Sequence, residues 1–316
     1  MDIQSRFIKT NGIRMHCAEA GSGPVVVLLH GFPESWYSWR HQLTALAEAG
    51  FHAVAPDLRG YGQTDRPEAL EAYDIFQLVG DVVGLVRELG QEQVVIVGHD
   101  WGALITSHAA LLRPDLFRGV GLLSVPYVPR RAENQTAWEQ RKYPGKIFYQ
   151  AQLRNPGADQ FLMLDARSSL LKGLYSLSGE ASEQDRWSPV RDPAEVRGIA
   201  SEPKMPSWLT VEDLDFLEAE YKRATFTGGL NYYRNMDRNW AMTPFLDGAK
   251  IRQPALFIGG DRDPVIEFLS DEFDALEANM PKLRTIALLP GVGHWTQQER
   301  PLEVNRMLIQ FLNGLK

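Results

Sequence analysis

The chain has 316 residues, 44% of them hydrophobic and 23% charged, with a formal net charge of −7. That length suits one large domain or a core with a sizeable insertion, and the composition excludes disordered, collagen-like and membrane classes. The acidic balance offers no basic surface for nucleic acid.

Cys17 is the only cysteine, so neither an internal disulfide nor a thiolate metal cluster can form, which fits a reducing cytoplasm. The N-terminal residues carry no apolar run of the signal-peptide kind. No stretch approaches the roughly 18–20 apolar residues that cross a bilayer. The expectation is a cytoplasmic protein without a membrane partner.

In chain order, residues 13–18 and 25–29 read as strands; the second, Val25 to Leu29, is continuously apolar, as suits a strand buried on both faces. A helix is expected over 36–49 and a short strand over 53–55, closed by Pro56 and the turn Arg59 to Gly62. Residues 75–89 have helical spacing, with Gly90 at the C-cap position. A strand over 94–97 runs into a helix from about Trp101 to Leu112, and a strand from Gly119 to Ser124 follows.

The β/α rhythm then lapses. Helical periodicity dominates from about 130 to 242, with a Pro- and charge-rich stretch from Ser182 to Pro206. It returns with a strand at 254–258, another near 283–289 and a C-terminal helix from about Pro301. This pattern predicts an α/β fold: a mainly parallel sheet with helices on both faces, interrupted by a helical lid. The expected division is a core of 1–130 and 242–316 with a lid over 131–241.

Gly98-His99-Asp100-Trp101-Gly102 follows a buried strand and precedes a helix, in the form small-x-nucleophile-x-small. Such an elbow strains its central residue and leaves no room for side chains two before and two after it. Alternatively, Asp100 simply N-caps the helix. A carboxylate in place of the commoner serine acylates poorly but can displace at saturated carbon, giving an alkyl ester that water must then hydrolyse. Cleavage of a C–O or C–halogen bond is therefore expected.

His30-Gly31-Phe32-Pro33 follows the strand ending at Leu29. The Phe32 and Trp101 amides are expected to form the oxyanion hole, with Pro33 and the Trp101 ring against the substrate. The isomer of the bond before Pro33 is not written in the sequence. Among the histidines, His16, His41, His52, His99 and His108 compete with His294. His294 lies after the last strand, as the order nucleophile, acid, histidine requires, and would be the general base. Asp263 or Asp261, both after the strand at 254–258, would orient it; Asp263 is preferred because it lies further into the loop.

With these pieces the chain resembles the soluble epoxide hydrolases of the α/β-hydrolase superfamily, both the plant enzymes and the hydrolase domain of the mammalian enzyme. The resemblance runs through HGFPE (30–34), DLRGYG (57–62), GHDWG (98–102) and GHWTQ (293–297) in the core. In the lid it runs through SWLTVEDLDF (207–216) and GGLNYYRNMDRNW (228–240). Haloalkane and fluoroacetate dehalogenases share the core motifs, so the lid tyrosines discriminate.

The resemblance implies two tyrosines that donate hydrogen bonds to the epoxide oxygen. Tyr233 matches the second, its neighbour Tyr232 being a packing residue. Tyr149, followed by Gln150 and a few residues later by Pro156-Gly157, matches the first, with Tyr143 as the alternative. Here Gln152-Leu153-Arg154 replaces the family's usual Tyr-Phe-Gln run. Gln150 is expected at the substrate. The implied function is opening of a small apolar epoxide to a vicinal diol by a monomer or homodimer, with no cofactor or metal. A dehalogenase is the rival, and a non-catalytic receptor of the same fold the remoter one.

Overall fold

The computed structural model describes residues 2–193 and 204–315. The middle of the Ser182 to Pro206 stretch lies outside the described residues.

Among the described residues there are ten strands: β1 (Gln4–Thr10), β2 (Ile13–Ala20), β3 (Val25–Leu29), β4 (His52–Pro56), β5 (Val94–His99), β6 (Phe117–Leu123), β7 (Ile147–Phe148), β8 (Val190–Arg191), β9 (Ala255–Gly260) and β10 (Leu283–Leu289). Eight form one sheet in the order β1-β2-β4-β3-β5-β6-β9-β10. The β1–β2 and β2–β4 pairs are antiparallel and the others parallel.

The continuous apolar runs follow from this placement. Val25, Val27 and Leu29 of β3 face one cluster, with α2 (Ile75–Glu88) and α3 (Trp101–Leu112). Val26 and Leu28 face the other, with α1 (Arg40–Glu48) and the C-terminal helix Pro301–Asn313. A parallel strand covered on both faces has no polar side to show. β1 was not anticipated: as an edge strand its first four residues are exposed, and its polar composition hides it from a hydrophobicity reading.

Between β6 and β9 lie the helices α4 (Gln135–Lys142), α5 (Tyr149–Arg154), α6 (Ala158–Met163), α7 (Ala166–Ser176), α8 (Val211–Ala224), α9 (Thr227–Arg234) and α10 (Met236–Met242), with β7 and β8 as a short antiparallel pair. This segment is tied to the loops around the sheet's C-terminal edge. The Tyr221 hydroxyl donates to the Glu34 carbonyl at 3.2 Å and the Tyr232 hydroxyl to the Arg59 carbonyl at 2.8 Å. Gly60, at φ +86°, lets its loop touch Gly228 of α9; a Cβ there would meet the α9 backbone. Among the described residues no helix is long and apolar enough to cross a membrane.

Candidate active site

Asp100 sits in the sharp turn between β5 and α3 with φ 52° and ψ −119°, a backbone conformation that non-glycine residues rarely adopt. It makes no capping hydrogen bond to α3, so the N-cap reading does not describe it. The turn has no space for larger neighbours. A Cβ on Gly98 would strike the Gly102 carbonyl, and one on Gly102 would strike the Leu29 carbonyl. Gly31 is equally constrained, because a Cβ there would collide with the Asp100 side chain.

The two carboxylate oxygens of Asp100 have different surroundings. Oδ1 accepts a hydrogen bond from the Phe32 amide at 2.8 Å. Among the described residues none reaches Asp100 from the Trp101 amide, the second donor anticipated; that amide lies at the free N-terminus of α3. Oδ2 lies 3.6 Å from His294 Nε2. The Phe32–Pro33 peptide bond is cis.

His294 follows β10, and its Nδ1 lies 3.0 and 3.2 Å from the two carboxylate oxygens of Asp263. Asp263 is fully buried and also caps the helix Pro264–Phe268 through the Val265 amide. Asp261 points elsewhere and accepts from the Gly291 amide at 2.7 Å, closing the turn before His294. Burial acts to lower the His294 pKa, but the Asp263 and Asp100 carboxylates outweigh it and push it up to about 10. Burial likewise works against charge on Asp100, yet His294, His99 and the Phe32 amide hold its carboxyl below the usual range.

A buried clamp that sequence reasoning missed joins these loops. Glu34 Oε2 accepts from the Gly31 amide at 3.0 Å and lies 2.8 Å from His99 Nδ1. The opposite nitrogen of His99 lies 2.7 Å from the His294 carbonyl. Gln297 and Gln298 both donate to Glu34 Oε1. Burial opposes the charge of Glu34, but His99 and the Gly31 amide keep its carboxyl below the usual range. Glu34 stands inside the HGFPE motif and His99 inside the elbow, so the residues were in view while their pairing was not.

Above Asp100 is a cavity of about 250 Å³ whose walls include Asp100, His294, Phe32, Pro33, Tyr149 and Tyr233. The rest of the lining is mainly apolar, with Leu153, Leu162, Leu177, Trp187 and Phe226. Trp187 had no signal in the sequence. A smaller cavity of about 90 Å³ shares Asp100, Tyr149 and Tyr233 and is also lined by Trp101 and Gln150. The two therefore meet at the Asp100 carboxylate.

Tyr149 opens α5 and Tyr233 lies in α9, their rings 6.4 Å apart. Gln150 Nε2 donates to the Tyr149 hydroxyl at 2.9 Å, so Gln150 reaches the tyrosine as well as the smaller cavity. The Tyr233 ring packs edge-on against Trp101 at 5.1 Å and Phe32 at 5.7 Å. Burial first, then the Asp100 charge, raises the pKa of both tyrosines, so both remain proton donors at neutral pH. Tyr232 points away, its hydroxyl spent on Arg59, and Tyr143 stacks on Phe148 outside both cavities.

Residues 24–301 match the family described as the alpha/beta hydrolase fold. Over 98% of both chains the sequence is 43% identical to epoxide hydrolase A of Mycobacterium tuberculosis. It is 40% identical to epoxide hydrolase 3 of Siraitia grosvenorii, again over 98% of each. Among solved structures, an epoxide hydrolase from an endophytic Streptomyces superimposes with a TM-score of 0.94 at 44% identity, covering 99% of this chain and 96% of that one.

Proposed function

Because the chain belongs to the α/β-hydrolase family, among its epoxide hydrolases, its reaction is the opening of an epoxide to a diol, and we propose that Asp100 performs it as a covalent nucleophile. One observation carries this assignment: a carboxylate backed by a His–Asp pair faces two protonated phenols across a single cavity.

In the first step Asp100 Oδ2 attacks an epoxide carbon. Oδ1 is held by the Phe32 amide. The C–O bond breaks, and Tyr149 and Tyr233 deliver a proton to the leaving oxygen. In the second step His294 takes a proton from water, which attacks the Asp100 ester carbonyl; the Phe32 amide, with Trp101 beside it, meets the oxyanion.

Ester formation itself prepares His294 for this. While Asp100 is ionised, two carboxylates keep the imidazole protonated. Once Asp100 is esterified only Asp263 remains, and the imidazole becomes a usable base.

In this reading the segment 131–241 is the lid over a core of 1–130 and 242–316. The mainly apolar lining favours an apolar epoxide, and the buried lone Cys17 fits a cytoplasmic setting.

The test is turnover of styrene oxide in water enriched in ¹⁸O. The diol should form, and repeated turnover should place the label in the Asp100 carboxylate, since water attacks the ester carbonyl. Diol formation with an unlabelled Asp100 would refute the covalent route. Halide release from haloalkanes, without diol formation, would refute the activity.

A further inference from the structure

At the β1 edge of the sheet a second constellation has the same logic as the active site. Ser5 Oγ on β1 lies 2.6 Å from His16 Nε2 on β2, and His16 Nδ1 lies 2.8 Å from Asp57 Oδ2, just past β4. None of the three lines the cavities around Asp100. The register explains the meeting. Phe7 pairs with His16 and Ser5 with Ala18, so Ser5 is the diagonal neighbour of His16 on one face, within reach of its ring.

Asp57 accepts two further hydrogen bonds, from the Trp36 amide at 3.0 Å and the Gln63 amide at 3.2 Å. A carboxylate only accepts, so the His16 nitrogen facing it is the donor of that bond, and in the neutral ring Nε2 is then the acceptor facing Ser5. His16 and Asp57 are 1% and 0% exposed, whereas Ser5 is exposed. The base is shielded and the hydroxyl is reachable.

Beside Ser5 on the same face, the Phe7 ring is 45% exposed and lies 5.3 Å from the His16 ring. The Arg14 guanidinium sits 4.3 Å over Phe7. Arg14 covers one face of Phe7, so the exposed remainder of the ring is what an aryl group could meet, and the guanidinium supplies a cation for the negative charge that an acyl oxygen gains on attack.

We propose that Ser5, His16 and Asp57 form a second nucleophilic site that is acylated by activated aryl esters. Ser5 Oγ bonds the acyl carbon as its proton passes to His16 Nε2; the aryloxide leaves and collects that proton as the phenol. Ser5 stands in a regular strand instead of an elbow, without the turn that aims paired amides at an oxyanion beside Asp100. The acyl group therefore stays on, and the site is modified once per chain without turning over.

The experiment treats the full chain with p-nitrophenyl acetate and follows acetylation of individual serines by peptide mass spectrometry. General-base activation predicts that Ser5 is acetylated at least ~100-fold faster than the exposed Ser270 of the same sample. S5A should lose the adduct and keep its epoxide turnover, and H16Q should bring Ser5 down to the rate of Ser270. Acetylation of Ser5 no faster than Ser270, or unchanged in H16Q, would overturn the proposal. If H16Q fails to fold, seen as lost epoxide turnover, the Ser5 to Ser270 ratio in the unaltered chain decides alone.

Discussion

The floor and the roof of the cavity are built by different means. On the floor, Asp100 is fixed by backbone: a left-handed turn, three glycines without room for a Cβ, and a main-chain hydrogen bond from Phe32. On the roof, Tyr149 and Tyr233 come from separate helices and are set by ring packing against Phe148, Trp187, Trp101 and Phe32. Backbone sterics admit almost no substitution, while ring packing can relax. The floor should therefore respond to mutation in an all-or-none way and the roof by degrees.

The largest effect is expected at Asp100. D100N keeps the shape of the turn but removes the carboxylate that the proposed route uses as nucleophile, and kcat/KM for styrene oxide should fall on the order of 10⁴-fold or more, as for other members of catalytic triads. A loss of only tenfold would break the contrast with the roof. H294Q should come next, with turnover reduced about 10³-fold. Attack by Asp100 survives there, so intact-protein mass spectrometry should find one equivalent of substrate on the enzyme. An H294Q protein that stays unmodified under substrate would remove His294 from the second step.

On the roof, Y149F and Y233F should each cost about 10- to 100-fold in the rate of alkylation, because one phenol remains to protonate the leaving oxygen. The double variant should fall much further than either. If each single change were as severe as D100N, the roof would be as rigidly specified as the floor.

The same contrast explains what could be read from the chain. Asp100, His294 and Asp263 each follow a strand in the core, within short Gly-containing runs whose sterics leave a mark in the sequence. The sheet was legible wherever both faces of a strand are buried, and it failed at β1, whose edge position permits Gln4, Ser5 and Arg6. The tyrosines carry no such mark. Tyr232 and Tyr233 are adjacent, and only the helical rotation of α9, with the Arg59 carbonyl awaiting one hydroxyl, separates them. Glu34 shows a further limit: its side-chain partners lie 65 residues away at His99 and more than 260 away at Gln297 and Gln298, a pairing no local pattern encodes.

A pH profile tests the floor with a smaller effect. In the free enzyme His294 is raised to about 10 by two carboxylates acting against burial. On the proposed route hydrolysis of the ester needs the neutral imidazole, so its rate should rise about tenfold per pH unit below the operative pKa. Esterification removes one carboxylate and lowers that pKa, so the single-turnover hydrolysis rate should reach its plateau below pH 10. A plateau only at about pH 10 would mean that Asp100 contributes little to the charge on His294.

Trp187 gives the smallest expected effect and the sharpest view of the roof. It lines the larger cavity and meets the Tyr149 ring edge-on at 4.8 Å, so on the proposed route it would both wall the substrate and pack the acid. Neither role changes the bond-breaking geometry at Asp100. W187A should therefore raise KM for an aryl epoxide about five- to tenfold, the equivalent of roughly 1 kcal/mol of lost apolar contact, with kcat almost unchanged. Uniform binding is lost in that case, and Tyr149 is held by Phe148 and Gln150 without it. A parallel fall in kcat would instead show that Trp187 seats Tyr149 for proton transfer, and the graded roof would contain one residue on which the acid depends.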